Sequence, residues 1–295
     1  MVQRIYDSIR KNLTAYILIS PAVIAVATIL YYPMIRGIWM TFLSYGRGEW
    51  VGVANYVSVF NDPEFLYSLV ITLVFLVSTI ALQLIIGLGI ALILDKLKHL
   101  RDFTTALALA PYMVPPVAGG VIWVWVLDPS MGLINHVLQS MGLGRVYFLS
   151  KGIWPVISII LAQTWKDFGY ASIIYLANLE TIPGQLYEAA EIDGSGPFQK
   201  FRYITIPHLA TATLIILAIR TTWNIVEFAL VFELTSGGPG SQTNILSILL
   251  YDYGFTRYNL GKAYVVGLVM IAIALLAFVL YTRVFGGAGG VVEEQ

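Results

Sequence analysis

The residues EAAEIDGSGPFQKFRYITIP, at positions 188–207, form a polar insert between long hydrophobic segments. The letters that define its pattern are Glu188, Ala189, Ala190, Gly194, Ile204, Ile206 and Pro207. A membrane protein has little reason to keep such an insert at fixed spacing unless something soluble docks there.

This pattern resembles the EAA loop found in the membrane subunits of ATP-binding-cassette (ABC) importers. One position departs from the usual pattern, with Ile206 where leucine is commoner. The resemblance implies an all-α polytopic membrane protein of the type I ABC importer fold, with six transmembrane helices and a cytoplasmic coupling-helix loop at 183–207.

The composition points to the bilayer as solvent, because 58% of the residues are hydrophobic, 12% are charged and the formal net charge is zero. No cysteine is present, and the three scattered histidines make no metal constellation. A phosphate-cradling loop is also absent, so ATP hydrolysis must occur on another chain. We expect no cofactor, no metal and no nucleic-acid partner for this chain.

A bilayer core of about 30 Å requires roughly 20 apolar residues. Four windows without charges meet this length, and two more are interrupted by charged residues within the span. The chain is therefore predicted to be one transmembrane domain, 1–295, with helices at about 12–36, 66–94, 103–127, 152–179, 207–233 and 262–283. An even number of spans places both termini on one side. If that side is the cytoplasm it holds nine cations against six outside, and the coupling loop is then cytoplasmic.

Local signals predict a bent-back helix in the loop. Pro183 is suited to the first turn of a helix, Gly194 should end it, and Ser195 can cap a second short helix near Pro197. Spacing of i, i+3, i+4 and i+7 should place four residues on one flank, which are Leu186, Ala189, Ala190 and Asp193. An ordinary amphipathic turn is the alternative. The resemblance implies a coupling helix in a cleft of the ATPase, with Glu188 as the ionic contact and Gly194 and Pro207 as its bends.

Polar residues also lie at bilayer depth on two predicted helices, where charges are costly and normally face a bundle interior or a water-filled path. Both sets have the spacing i, i+4, i+7 and each forms one stripe. They are Gln163, Asp167 and Tyr170, and Arg220, Asn224 and Glu227.

The stripes allow two interpretations, and both can hold at once. In the first, Arg220 pairs with Asp167 or Glu227 as a structural bridge, because buried charges are usually paired. The stripes can also line a sugar pocket, in which carboxylates and amides bind hydroxyls. Lys166 is adjacent to Asp167 and is expected to point elsewhere.

The third predicted helix contains APYMVPPVAGG at 110–120, where three prolines and two glycines loosen the backbone near Tyr112 and Pro116. A break there would open polar groups toward a cavity. Trp123 and Trp125 are expected to anchor the helix at the membrane interface.

Beyond the loop, the chain resembles the maltose-type carbohydrate permeases over nearly its whole length. The matching phrases are Trp50-Val51-Gly52, Asn55-Tyr56, Pro111-Tyr112, Val114-Pro115, Ile182-Pro183 and Leu234-Thr235-Ser236-Gly237-Gly238-Pro239. The resemblance implies a substrate pathway at Tyr112, Pro116, Gln163, Asp167, Tyr170, Arg220, Asn224 and Glu227. Maltose permeases line these positions with neutral and small residues, so the charges here make maltose itself doubtful.

The resulting hypothesis is a non-enzymatic permease subunit that pairs with a homologous second subunit in the cell membrane. Two ATPase subunits, which hold ATP and magnesium, dock at the loops, and an extracellular or periplasmic binding protein delivers a di- or oligosaccharide. A glycerol-phosphate permease is one alternative, because Arg220 could face a phosphate. A second is a transporter coupled to protons or sodium through Asp167, Arg220 and Glu227. An intramembrane enzyme has no supporting motif.

Overall fold

A computed structural model of the chain describes residues 13–44, 46, 48–97 and 101–285. In this part of the chain the structure is helical, and its one β pairing is an isolated bridge between Leu43 and Trp50. The predicted all-α class is therefore confirmed. Both termini and the connection 98–100, on which the predicted orientation partly rests, lie outside the described residues.

The helices that precede the polar insert are α1 (Leu13–Val26), α2 (Tyr32–Met40), α3 (Ala54–Phe60), α4 (Pro63–Lys96), α5 (Arg101–Leu109), α6 (Pro116–Val126), α7 (Leu133–Ser140) and α8 (Trp154–Leu179). A π-helical turn at Ala27–Tyr31 joins α1 to α2 without a break in the chain direction.

The remaining helices are α9 (Gly184–Ile192), α10 (Pro197–Lys200), α11 (Ile206–His208), α12 (Ala210–Ile225), α13 (Ala229–Thr235), α14 (Leu246–Tyr251) and α15 (Leu260–Phe285). Two further π-helical turns follow α10 and α14, at Phe201–Thr205 and Asp252–Thr256.

The helix predicted at 103–127 is two helices, α5 and α6, separated by a turn at 110–115. Pro115 has an extended ψ of 141°, as expected for a residue that precedes another proline. Because neither Pro115 nor Pro116 has an amide hydrogen, the helical hydrogen bonds cannot continue through this point. The break that the prolines predicted is therefore present.

The helix predicted at 207–233 is also interrupted. The segments Pro197–His208 and Ala210–Ile225 meet at 58°, and a second break separates α12 from α13. At that second break Glu227 Oε1 accepts from the Leu230 amide at 3.0 Å, and the Glu227 carbonyl accepts from Ser247 Oγ at 2.5 Å. Side chains here satisfy backbone groups that a continuous helix would pair internally.

Three helices in the described residues are long and apolar enough to cross a membrane, at Tyr16–Met40, Pro63–Lys96 and Leu260–Phe285, and the bent pair around His208 makes a fourth. α8 has 26 residues, about 39 Å at 1.5 Å each, but carries Lys166 and Asp167. The count of six spans remains a prediction.

α4 and α8 run parallel to each other. Phe75 of α4 lies in one core cluster with Ile159 of α8, and Ala91 lies in a second cluster with Tyr175. The second cluster marks the end of the bundle at which α8 enters the polar insert, here called the loop end. The first cluster lies toward the opposite end, where a third core joins α3, α14 and α15.

α4 and α8 approach each other closely at Gly87. A Cβ atom added there would lie 2.6 Å from Ala171 Cβ and 3.1 Å from the Ser172 amide nitrogen. We expect Gly87→Val to lower the free energy of unfolding by about 1–3 kcal/mol, because overpacking displaces the backbones. The measurement is the melting temperature of the purified protein in detergent. Gly89→Val is the matched control, since a Cβ at Gly89 meets nothing within 4 Å. Equal melting temperatures for the two variants would contradict this packing.

Candidate functional site

The polar insert folds into a helix that turns back at a glycine. α9 ends at Ile192, and Gly194 has φ +75°, a left-handed conformation that favours glycine. Its amide donates to the Glu191 carbonyl at 3.0 Å, and the Ser195 amide donates to the Ala190 carbonyl at 2.8 Å. Gly194 therefore ends the helix as predicted, by a hydrogen-bonded turn that only this backbone conformation permits.

Two local predictions about the loop are wrong by a residue. Pro183 precedes the helix rather than opening its first turn, because its ψ of 127° is extended and its carbonyl accepts from the Leu186 amide. Ser195 does not cap the second helix. The capping contact comes from Gln199, whose Oε1 accepts from the Gly196 amide at 2.8 Å.

The two halves of the loop are joined by a side-chain hydrogen bond, and most of the predicted coupling residues are exposed. Tyr187 Oη and Thr205 Oγ1 are hydrogen bonded at 3.0 Å, which joins α9 to the π-helical turn Phe201–Thr205. Of the predicted coupling residues, Ala190 is half-buried, and six are exposed: Leu186, Glu188, Ala189, Asp193, Gly194 and Pro207. Three large apolar side chains that the periodicity did not single out are also exposed, namely Ile192, Phe198 and Tyr203.

The two polar stripes meet at a cavity of about 570 Å³ between α8, α12 and the α5–α6 turn, here called the central cavity. Six of the eight predicted pathway residues line it, namely Tyr112, Pro116, Gln163, Asp167, Arg220 and Glu227. The other two, Tyr170 and Asn224, do not line the cavity but lie next to residues that do. The Tyr170 ring is 5.9 Å from that of Tyr112, and the amide of Asn224 contacts Arg220.

Arg220 is the centre of a buried hydrogen-bond network. Its guanidinium contacts the Asp167 carboxylate, donates through Nε to Gln83 Oε1 at 3.2 Å, and donates through a terminal nitrogen to Asn224 Oδ1 at 3.1 Å. Gln163 Nε2 adds a bond to Asp167 Oδ2 at 2.6 Å. All five side chains are at most 4% exposed. The predicted bridge between Arg220 and Asp167 is thus present inside the predicted pocket.

Lys166 was expected to point away from Asp167, and this expectation is wrong. Its Nζ is 3.2 Å from Asp167 Oδ1, it lies 5.7 Å from the centre of the Tyr112 ring, and it lines the central cavity. The reason is the length of the lysine side chain, whose flexible methylene groups carry the ammonium around the helix. Asp167 is therefore held between two cations.

Glu227 differs from Asp167 because no cation of the described chain forms an ion pair with it. Oε1 accepts from the Leu230 amide, and Oε2 is 3.5 Å from Gln163 Nε2. Gln163 Oε1 is buried and has no hydrogen-bond partner among the described residues. The cavity thus presents two acceptors, Glu227 and Gln163, that suit the hydroxyl donors of a ligand.

Some residues at the site escaped the sequence reasoning. Gln83 approaches from α4, and the one signal for it was a polar amide inside an otherwise apolar window. Trp223 lines the central cavity, although it lies beside the polar stripe rather than on it. Trp123 packs edge-on against Trp165 at 5.9 Å and is half-buried, whereas Trp125 is exposed, so only Trp125 fits the predicted interfacial anchor. Within the described residues no cluster of His, Cys, Asp or Glu could hold a metal ion.

Comparison with known proteins places this architecture in a family. The family model described as "Binding-protein-dependent transport system inner membrane component" matches residues 83–286. The "Trehalose/maltose transport system permease protein MalF" of Thermococcus litoralis is 34% identical over 92% of this chain and 90% of that protein. The "sn-glycerol-3-phosphate transport system permease protein UgpA" of Brucella abortus is 31% identical over 91% of this chain and 94% of that protein.

The same fold is found in a solved structure. A chain in the crystal structure of a bacterial alginate ABC transporter, in complex with an alginate pentasaccharide-bound periplasmic protein, has a TM-score of 0.83 at 26% identity. The match covers 95% of this chain and 96% of that chain. The resemblance to ABC importer permeases is therefore confirmed in both sequence and fold.

Proposed function

Because the chain belongs to the family of binding-protein-dependent transport system inner membrane components, we propose that it is one membrane half of an ATP-driven sugar importer. Its cargo is a di- or oligosaccharide, and it performs no covalent chemistry itself. The observation that carries the proposal is a polar cavity inside an apolar bundle, between the two long helices that enter and leave the exposed loop.

The chemistry of the central cavity supports a sugar as ligand. Glu227 and Gln163 offer acceptors for hydroxyl groups, Lys166 offers a donor, and Tyr112 and Trp223 offer flat apolar surface for the face of a pyranose ring. The glycerol-phosphate alternative has less support, since Arg220, the cation that would face a phosphate, is already paired with Asp167.

A second permease subunit is needed to close the cavity. Trp223 and Val226 line both the central cavity and a neighbouring apolar groove of about 680 Å³ between α12 and α15. If acyl chains filled the groove, the charged cavity would lie next to lipid, which is costly. The helix Tyr16–Met40 supports the same proposal, because none of the residues in its most apolar stretch is buried against the rest of this chain. A homologous second half would cover both surfaces.

The exposed loop is the docking surface for an ATPase subunit. Ile192, Phe198 and Tyr203 present apolar area there, with Glu188 at the rim. ATP and magnesium belong to the two partner ATPases in this proposal, and this chain holds no cofactor. The loop and both termini lie in the cytoplasm, and the opposite end of the bundle receives sugar from an extracellular or periplasmic binding protein.

Transport follows from alternating access. ATP binding closes the ATPases, and the loop transmits this motion to α8 and α12, which carry the paired Asp167 and Arg220 in the wall of the cavity. A site of this kind must bind well enough to fill and weakly enough to empty.

Reconstitution tests the proposal. The chain, its partner subunits and the binding protein are assembled in proteoliposomes, and uptake of labelled trehalose, maltose and sn-glycerol 3-phosphate is measured. We expect uptake of a sugar that requires both ATP and the binding protein. Uptake driven by a proton or sodium gradient without ATP would contradict the proposal, and preference for sn-glycerol 3-phosphate would favour the alternative cargo.

A further inference from the structure

A second cavity, of about 520 Å³, lies at the end of the bundle opposite the loop end, and we call it the outer cavity. It is formed where the start of α4 meets the 236–244 turn and the end of α14. Its polar lining includes Glu64, Ser241, Asn244 and Asp252, and its aromatic lining is Phe232 and Tyr251. The proposed topology places this cavity on the side from which the sugar arrives.

The polar groups of the outer cavity are held in place by Arg257. The guanidinium is 2.7 Å from Glu64 Oε2 and 2.5 Å from Asp252 Oδ2, and Asn244 Nδ2 donates to Glu64 Oε1 at 3.1 Å. Asn244 is 6% exposed, and its Oδ1 has no hydrogen-bond partner among the described residues. A buried acceptor without a donor is costly, so this carboxamide points to a ligand that donates hydrogen bonds.

A hydrogen bond beside the start of α4 also holds this side of the outer cavity in place. Tyr253 Oη donates to Asp62 Oδ2 at 2.6 Å, beside the start of α4. Partial burial alone would raise the pKa of Asp62, but the hydrogen bonds from Tyr253 and from the Glu64 amide, with the nearby cations Lys262 and Arg257, lower it. Asp62 therefore stays ionised and keeps its hydrogen bond at neutral pH.

An aromatic ladder joins the outer cavity to the central cavity. It consists of Phe228, Phe232, Tyr251 and Phe255, two pairs with i, i+4 spacing on facing elements. The Phe228 and Phe232 rings are 4.7 Å apart, Phe228 is 5.0 Å from Tyr251, and Tyr251 is 5.2 Å from Phe255. Phe228 lines the central cavity, whereas Phe232 and Tyr251 line the outer one.

We propose that the outer cavity is a second sugar-binding subsite and that the aromatic ladder carries the sugar from it to the central cavity. The inference rests on the proposed function and adds a binding site to it. Flat rings suit the apolar face of a pyranose, while Glu64, Asp252 and the Asn244 carboxamide accept hydrogen bonds from its hydroxyl groups. Tyr251 and Phe255 are exposed and are the first rings that the sugar meets.

The test replaces the flat rings with leucine, which keeps an apolar side chain but removes the flat face. Tyr251→Leu and Phe255→Leu are assembled with all partner subunits in proteoliposomes, and uptake of the best-transported sugar among trehalose and maltose is measured at subsaturating concentration. Because each ring offers a flat apolar face to the sugar, we expect uptake to fall about two- to tenfold per ring, which corresponds to about 0.4–1.4 kcal/mol. ATP hydrolysis stimulated by the binding protein should stay near its wild-type rate.

Controls separate the subsite from other roles. Tyr251→Phe and Phe255→Tyr keep a flat ring and should restore uptake, and Phe103→Leu removes an exposed ring outside both cavities and should have no effect. Uptake at wild-type rates in both leucine variants would overturn the inference. So would a parallel fall in uptake and stimulated ATP hydrolysis, because that pattern indicates that the rings bind a partner protein. Wild-type uptake that requires neither ATP nor the binding protein would contradict the proposed function itself, and the subsite with it.

Discussion

Arg220→Met and Asp167→Asn, made singly, are expected to lower the free energy of unfolding by about 3–5 kcal/mol, because each removes one partner of a buried ion pair. In Arg220→Met, Gln83 Oε1 and Asn224 Oδ1 also lose a donor. In Asp167→Asn, Arg220 and Lys166 face each other without the carboxylate between them. The measurement is thermal unfolding of the purified protein in detergent.

The double variant separates the structural bridge from the sugar pathway. With Asp167→Asn and Arg220→Met combined, the paired charges are removed together, and part of the lost stability should return, although Lys166 still lacks its carboxylate partner. Uptake should nevertheless remain about tenfold or more below wild type, because the double variant has lost polar groups that line the central cavity. Full uptake in the double variant would show that the pair is structural alone. A double variant as unstable as the single ones would contradict the direct pairing.

Gly194→Pro is expected to abolish ATP-driven uptake while the protein still inserts in the membrane. Proline fixes φ near −65°, whereas Gly194 has φ +75°, and it also removes the amide that donates to Glu191. The cost is about 3 kcal/mol or more, confined to an exposed turn, so α9 should lose its position while the helical bundle remains folded. Uptake and ATP hydrolysis in proteoliposomes, together with the amount of protein in the membrane fraction, are the measurements.

Two companion variants sharpen this prediction. Gly196→Ala lies two residues away, where φ is −72° and an added Cβ meets only Gln199 Oε1 at 3.8 Å, so it should transport normally. Glu188→Lys reverses the charge at the exposed rim of α9 and should also abolish uptake if Glu188 contacts the ATPase. Unimpaired ATP-driven uptake in both Gly194→Pro and Glu188→Lys would contradict the coupling role of the loop.

Local patterns predicted much of the candidate site. Spacing of i, i+4 placed Gln163 and Asp167 on one face of α8, and Arg220 and Asn224 on one face of α12, where the structure has them in contact. This worked because helical periodicity depends only on the chain's own backbone geometry. Proline chemistry likewise predicted the break before Pro116.

The same patterns misplaced residues whose position depends on side-chain reach or on a neighbouring element. The ammonium group of Lys166 reaches Asp167 because the lysine side chain is long and flexible. Helical periodicity predicts only the direction in which a side chain leaves the helix. The break between α12 and α13 depends on Ser247, twenty residues further along, which binds the Glu227 carbonyl. Neither contact has a signature in the local sequence.

By itself, the amino-acid sequence determined the membrane class, the helical architecture, the position of the polar insert and the polar faces of α8 and α12. These properties follow from apolar length and from periodicity along one chain segment. Only the tertiary structure decided that Gln83 completes the Arg220 network, that Asp167 lies between two cations, and that an aromatic ladder joins two cavities. The physical reason is that contacts between helices depend on how their surfaces pack, and that packing involves residues far apart in the chain.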